Sequence, residues 1–185
     1  MDNGASSYRR FLSGDNTGIV EIIELYRDGL ILYINSFTQN IAEAEDIAED
    51  VFVKLIIKKP RYNGKASFKT WIYTIAGNLA KDRLRKQNRH GTVDLGSICE
   101  LTDDEVELEE LYLKESQKIQ LHHSMRKLSP EYQQILWLIY FEGMSNKEAS
   151  AIVGKSVHTT ENLVYKARKS LKAQLEKDGF DYANL

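Results

Sequence analysis

Apolar residues recur along most of the 185-residue chain at close to the 3.6-residue helical period, and few runs alternate as a strand would. The clearest case is SFKTWIYTIAGNLAKDRLRK, Ser67 to Lys86. Phe68, Trp71, Ile72, Ile75, Ala76, Leu79 and Leu84 form its apolar stripe, and Ser67 stands where an N-cap oxygen would accept a backbone N–H. The other face gathers Lys69, Thr70, Tyr73, Thr74, Asn78, Lys81, Arg83, Arg85 and Lys86. Upstream, Asn16 or Thr17 can cap a helix carrying Ile19, Ile22, Ile23, Tyr26, Leu30, Tyr33, Ile34 and Phe37. A second helix is expected from about Ala42 to Ile57, with Ile47, Val51, Phe52, Leu55 and Ile56 apolar. Residues 1–15 are polar, with Tyr8, Phe11 and Leu12 as their ordering groups.

The C-terminal third is punctuated by caps. Ser129-Pro130-Glu131 combines an N-cap serine, a proline in the first turn and an acid. The helix it opens is rich in core residues (Tyr132, Ile135, Leu136, Leu138, Ile139, Tyr140), and Gly143 can end it. Ser145-Asn146-Lys147-Glu148 has the capping-box pattern, Gly154 closes that short helix, and Ser156 caps the last one, which carries Leu163, Val164, Ala167, Leu171 and Leu175. Two helices around a tight glycine-bearing turn read as a helix-turn-helix whose second helix enters the major groove. His158, Thr159, Glu161 and Asn162 are its candidate base contacts, with Lys166, Arg168, Lys169 and Lys172 placed for phosphates. The bland alternative is a helical hairpin packed for stability; the basic tail after the caps favours DNA.

Charge sharpens this picture. The chain carries 25 basic and 27 acidic side chains, yet Lys54 to Arg89 holds 11 Lys or Arg against one acid, Asp82. Between Asp94 and Glu115 the balance reverses to nine acids and one base, Lys114. Segregation this strong points to a polyanion partner, with an acidic linker after the basic block. Within the block, Tyr62 is flanked by Arg61 and Lys65, the mixture of ring and cation that holds a single strand, although Tyr62 could equally just cover its loop. A solvated amphipathic helix with Trp71 in the core is the corresponding alternative for the segment after it. Glu43, Glu45, Asp46, Glu49 and Asp50 lie near the positive end of their helix, as a solvated face or a docking face for a basic partner. No histidine or calcium-loop pattern accompanies them, so neither metal nor cofactor nor catalysis is expected. Cys99 is the single cysteine, no apolar run approaches the roughly 18 residues that span a bilayer, and the N-terminus lacks a signal-peptide core. A cytoplasmic location without membrane insertion is expected.

From about Tyr26 to Leu175 the chain resembles bacterial sigma factors of the sigma-70 family, of the small two-domain extracytoplasmic-function type. AEDIAEDVFVKL resembles the region-two segment that docks on the coiled coil of the RNA polymerase β′ subunit. FKTWIYTIAGNLAKDRLRK resembles the segment that melts and reads the minus-ten element. LSPEYQQILWLIYFEGMSNKEASAIVGKSVHTTENLVYKARKSLK resembles region four, which binds the minus-thirty-five element and the β flap. The resemblance implies an all-α chain of two small helical domains, a region-two-like bundle at 16–90 and a region-four-like helix-turn-helix at 120–177, joined by an acidic linker at 91–119. Two separate lobes are expected, not one continuous core.

The resemblance also implies residue roles. Asp46, Glu49, Asp50 and Phe52 would meet polymerase. Tyr62, Lys65, Lys69, Trp71, Tyr73, Asn78, Lys81, Arg83, Arg85 and Lys86 would handle the minus-ten DNA, and His158, Thr159, Glu161, Asn162, Lys166, Arg168 and Lys169 the upstream element. Asn78 would help read the non-template strand, with Trp71 as a core or wedge residue beneath. Partners would be RNA polymerase core and promoter DNA, with an anti-sigma factor as a further candidate. Glu49 stands where many relatives have glutamine, and Glu161 and Leu163 where many have lysine and arginine. Two other functions compete: a free-standing LuxR-like regulator that binds duplex DNA without polymerase, and an RNA-binding or nuclease-like enzyme using the basic block and the carboxylates at 43–50. The order of acidic helix, basic helix, acidic linker and helix-turn-helix favours the sigma factor.

Overall fold

The computed structural model describes residues 3–90 and 119–180, and the regular structure of these residues is helical throughout. The acidic linker, apart from Ile119, and the helix expected near Asp103 lie outside the described residues. In chain order the elements are α1 (Asn3–Leu12), α2 (Thr17–Thr38), α3 (Ile41–Lys58), α4 (Phe68–His90), α5 (119–126), α6 (Pro130–Leu136) continuing into a π-helical turn (Trp137–Phe141), α7 (Asn146–Val153) and α8 (Val157–Lys177).

Helix α1 is a full element ahead of the boundary expected at residue 16, and it packs across α2 and against α4. Tyr8 and Phe11 are buried as their spacing suggests, whereas Leu12 stays exposed. Close approach of α1 to α2 depends on Gly18, where a Cβ would run into the Ser7 carbonyl. Arg10 pairs with Glu21 across the same crossing, and Ser7 donates to Glu21 Oε2 at 2.6 Å. At the start of α2 it is Asp15 that takes the Thr17 N–H, at 3.0 Å, while the Asn16 side chain makes no capping bond. Helix α3 opens on Asn40, whose Oδ1 accepts the Glu43 N–H at 3.1 Å.

Helices α1–α4 make the N-terminal group and α5–α8 the C-terminal one. Asp178, just past α8, binds the second group together. Its carboxylate accepts from Lys127 Nζ, Ser124 Oγ and Gln174 Nε2, and its carbonyl from Gln120 Nε2. The Lys127 ammonium and the Ser124 hydroxyl hold its carboxyl well below the usual range. The helix division follows the sequence, but the expected separation of cores does not. Helix α2 packs on α6 and α4 on α7, and the buried side chains of both groups form one continuous cluster. Tyr33 of α2 and Gln134 of α6, both buried, hydrogen-bond at 2.7 Å inside it.

Candidate nucleic-acid interface

Helix α4 begins as its sequence predicts. Ser67 Oγ accepts the Thr70 N–H at 3.2 Å and shares a second bond with the Thr70 hydroxyl at 2.8 Å. Beside this cap sits an aromatic cluster. Tyr62, Phe68 and Trp71 have ring centroids 5.2 to 5.5 Å apart, and Tyr8 reaches Phe68 and Trp71 from α1. The loop between α3 and α4 is tied to this cluster at both ends. The Tyr8 hydroxyl donates to Pro60 O at 2.8 Å and the Tyr62 hydroxyl to Ala66 O at 2.6 Å. Burial pushes the Tyr8 phenol up to about 12, so it stays a neutral donor. Between the ties, Asn63 Oδ1 takes the Lys65 N–H at 3.0 Å and Gly64 adopts φ +70°, turning Arg61, Asn63 and Lys65 outward.

The polar residues of α4, expected on one face, divide between two. Trp71, Thr74, Asn78, Asp82 and Arg85 follow one another at helical spacing, the first two half-buried and the last three exposed. Arg83 and Lys86 are also exposed; Arg83 approaches Glu43 at 4.0 Å and Arg85 pairs with Asp82 at 3.3 Å. The second ridge, Lys69, Tyr73, Gly77 and Lys81, faces the C-terminal group. Lys69 Nζ meets Glu142 Oε2 at 2.9 Å and its carbonyl at 3.0 Å, and Lys81 Nζ donates to Val153 O at 3.2 Å. Tyr73 is only 1% exposed, which corrects its assignment as a DNA contact in this arrangement. Burial, with the Glu142 charge beside it, drives its phenol far above the ordinary range. Burial also lowers the Lys81 ammonium, with Arg85 and Lys155 adding to the effect.

In the C-terminal group the helix-turn-helix is present. Ser145 Oγ accepts the Glu148 N–H and Glu148 Oε2 accepts from the Ser145 N–H at 3.0 Å, completing the capping box. Gly154 takes φ +76°, and Ser156 Oγ caps α8 by accepting the Thr159 N–H at 3.1 Å. His158, Thr159, Glu161, Asn162, Lys166, Arg168 and Lys169 are all exposed, and His158 Nε2 lies 3.2 Å from Asn162 Nδ2. Leu163 is different. At 8% exposure it belongs to the core and does not face the groove. Two exposed residues escaped the sequence reading: Val157, and Tyr165 at 68% exposure. Both lie off the Leu163–Ala167–Leu171 stripe, and that displacement was the available signal.

On α3, Asp46, Glu49 and Asp50 are exposed, but Phe52 is 6% exposed and packs in the core; its assignment to polymerase is corrected. The period that brings Val51 and Leu55 inward takes Phe52 with them and turns Val53, Ile56 and Ile57 outward. An acidic stripe therefore runs on into an aliphatic one. No group of three or more metal-ligating side chains occurs among the described residues, and no helix among them is long and apolar enough to cross a membrane.

Comparison with known proteins agrees with this arrangement. Residues 22–90 match the model of Sigma-70 region 2, and residues 118–171 that of Sigma-70 region 4. The chain is 26% identical over 170 residues to the ECF RNA polymerase sigma factor SigW of Bacillus subtilis, covering 88% of this chain and 91% of SigW. It is 27% identical over 160 residues to the sigma factor YlaC of the same organism, covering 86% and 92%. The sigma factor RpoE of Bartonella quintana, solved with the anti-sigma factor NepR, superposes with TM-score 0.65 at 23% identity, over 84% of this chain and 95% of that one. CnrH, solved with the cytosolic domain of CnrY, gives TM-score 0.65 at 22% identity, over 95% and 96%. The chain belongs to the sigma-70 family of RNA polymerase sigma factors, in its extracytoplasmic-function group. It binds polymerase core and directs promoter recognition; a free-standing regulator is not favoured, and the chain is no enzyme.

Proposed function

We propose a division of labour among three surfaces of this sigma factor. The stripe Asp46, Glu49, Asp50, Val53, Ile56 and Ile57 on α3 docks on polymerase core, with acids for orientation and aliphatic side chains for burial. The loop 61–67 and the open stripe of α4 hold the melted strand. The first turns of α8 read the upstream duplex. The observation that carries this reading is the pair of half-buried rings Tyr62 and Trp71, packed on buried Phe68 as a platform, with Arg61 and Lys65 exposed on the adjoining loop and Asn78 exposed two turns further along α4. Each base captured on such a platform returns about 1–3 kcal/mol toward unstacking. The residues at 16–90 and 120–177 serve as the two functional domains with the acidic segment between them, in the cytoplasm. An anti-sigma factor as a further partner is supported by the solved complexes of RpoE with NepR and CnrH with CnrY.

On α8 the roles separate in a salt titration. Lys169→Ala is expected to weaken all duplex sequences alike and to lower the log–log salt slope by about one unit, the signature of one lost phosphate contact. Glu161→Lys is expected instead to change which upstream sequence is preferred, because a carboxylate accepts from cytosine N4 and an ammonium cannot. Binding to a duplex library, selected with parent and variant holoenzyme, reads both. The same preference before and after Glu161→Lys would remove this residue from base reading.

A further inference from the structure

Helix α1 lies ahead of the boundary expected at residue 16, yet one face of it is given over to the α3–α4 loop and the start of α4. Gly4, Tyr8 and Phe11 follow one another at helical spacing, and all three are buried. A Cβ at Gly4 would meet the Phe68 ring at 2.5 Å, and that ring is fully buried with no room to yield. The Tyr8 ring lies 5.5 Å from Phe68 and 5.3 Å from Trp71, and its hydroxyl donates to Pro60 O at 2.8 Å. Pro60 has no N–H, so that carbonyl is the one hydrogen-bonding group its backbone can offer. One residue earlier, Lys59 Nζ lies over the Phe11 ring at 5.1 Å.

Both contacts fall where the chain leaves α3, and that turn is strained. Lys59 ends the helix at φ +43° and ψ +54°, a left-handed conformation that side chains of its kind rarely take. The proline that follows restricts Lys59 further. Residues in such conformations persist only where their surroundings hold them, and they cluster at ligand clamps. Here the holding groups come from α1.

We propose that Tyr8 is a positioning residue for strand capture, fixing through Pro60 where the loop 61–67 presents its cations and the Tyr62 ring to an unpaired base. At 1% exposure Tyr8 acts on the strand only through the loop. The gain is one of preorganisation: a loop already set spends none of the base's binding free energy on its own ordering. The proposal rests on the reading of that loop as a holder of the melted strand, and the test separates the two.

The probe is a fluorescein-labelled single strand copied from the non-template minus-ten region of a promoter the holoenzyme transcribes. Each base in turn is replaced by an abasic site, and anisotropy reports binding to holoenzyme. In the parent, at least one abasic position should weaken binding about tenfold or more, which marks the captured base. Tyr8→Phe keeps the ring and drops the hydroxyl. It should weaken the intact strand by up to about tenfold, the most that one hydrogen bond of ordinary net strength shifts the loop. The strand abasic at the captured position should bind the variant as it binds the parent, because it takes nothing from the loop. Ser7→Ala removes another hydrogen bond of α1, 2.6 Å to Glu21 of α2, and should leave the discrimination between the two strands unchanged. A pull-down with core and helical circular dichroism confirm that each variant is folded and joins polymerase. Unchanged discrimination in Tyr8→Phe, whether or not both strands bind more weakly, overturns the positioning role. An equal loss of discrimination in Ser7→Ala reduces the effect to general packing of α1 and overturns it as well. A parent indifferent to every abasic position overturns the proposal through its reading of the loop.

Discussion

Asn78→Ala is expected to leave core binding and duplex recognition intact while lowering the yield of open promoter complex by up to about a hundredfold. The reasoning is one of timing. A side-chain amide on the open stripe of α4 can meet base edges only after those bases leave the stack, so its contribution is absent from the closed complex and present in the open one. One such contact is worth about 1–3 kcal/mol, and the upper end of that range is the hundredfold. A template with a pre-opened bubble already includes the unpairing cost and should largely restore the yield. Asn78 is the cleaner probe than Tyr62. The Tyr62 ring packs 5.2 Å from Trp71 and its hydroxyl ties down Ala66, so Tyr62→Ala would also loosen the loop that carries Lys65. Permanganate reactivity of unpaired thymines on duplex and bubble templates checks the prediction, and parent-like opening by Asn78→Ala on duplex DNA would take Asn78 out of the melting site.

The second large effect is expected at the other partner. Asp46→Lys combined with Asp50→Lys should weaken binding to polymerase core by roughly a hundredfold, since turning an attractive charge into a repulsive one at an interface costs several kcal/mol. The fold should tolerate the change. Both side chains are exposed, and both lie beyond the first turn of α3, where the helix dipole and the Asn40 cap act. A pull-down titration with core, paired with a helical circular dichroism melt, separates docking from folding. Tight binding by a folded double variant would mean that the acidic stripe only faces solvent.

The regular, local parts of this fold were the legible ones. Ser67, Ser145 with Glu148, and Ser156 cap the helices their sequence suggests, because a cap is a contact between residues three apart. The position of the acids on α3 and of the basic middle turns of α8 could be read for the same reason. What periodicity could not decide was the second neighbour of each helix. Phe52 and Ile56 are both apolar, and the helical period puts them on different faces, but which face becomes core is set by where α2 and α4 pack on α3. Tyr73 and Lys69 sit among polar neighbours in the sequence and look outward-facing until the C-terminal group, more than sixty residues away, closes over them. Helix α1 was nearly invisible, with Tyr8 and Phe11 as its few apolar residues; what orders it is the Gly18 crossing and the aromatic cluster it joins.

Run-off transcription with purified core polymerase over a promoter library tests the central claim most directly. The chain should bind core, and the holoenzyme should start transcription from a defined subset of templates that core alone leaves silent. A chain that binds duplex DNA by itself yet neither joins core nor supports any transcript would contradict the account.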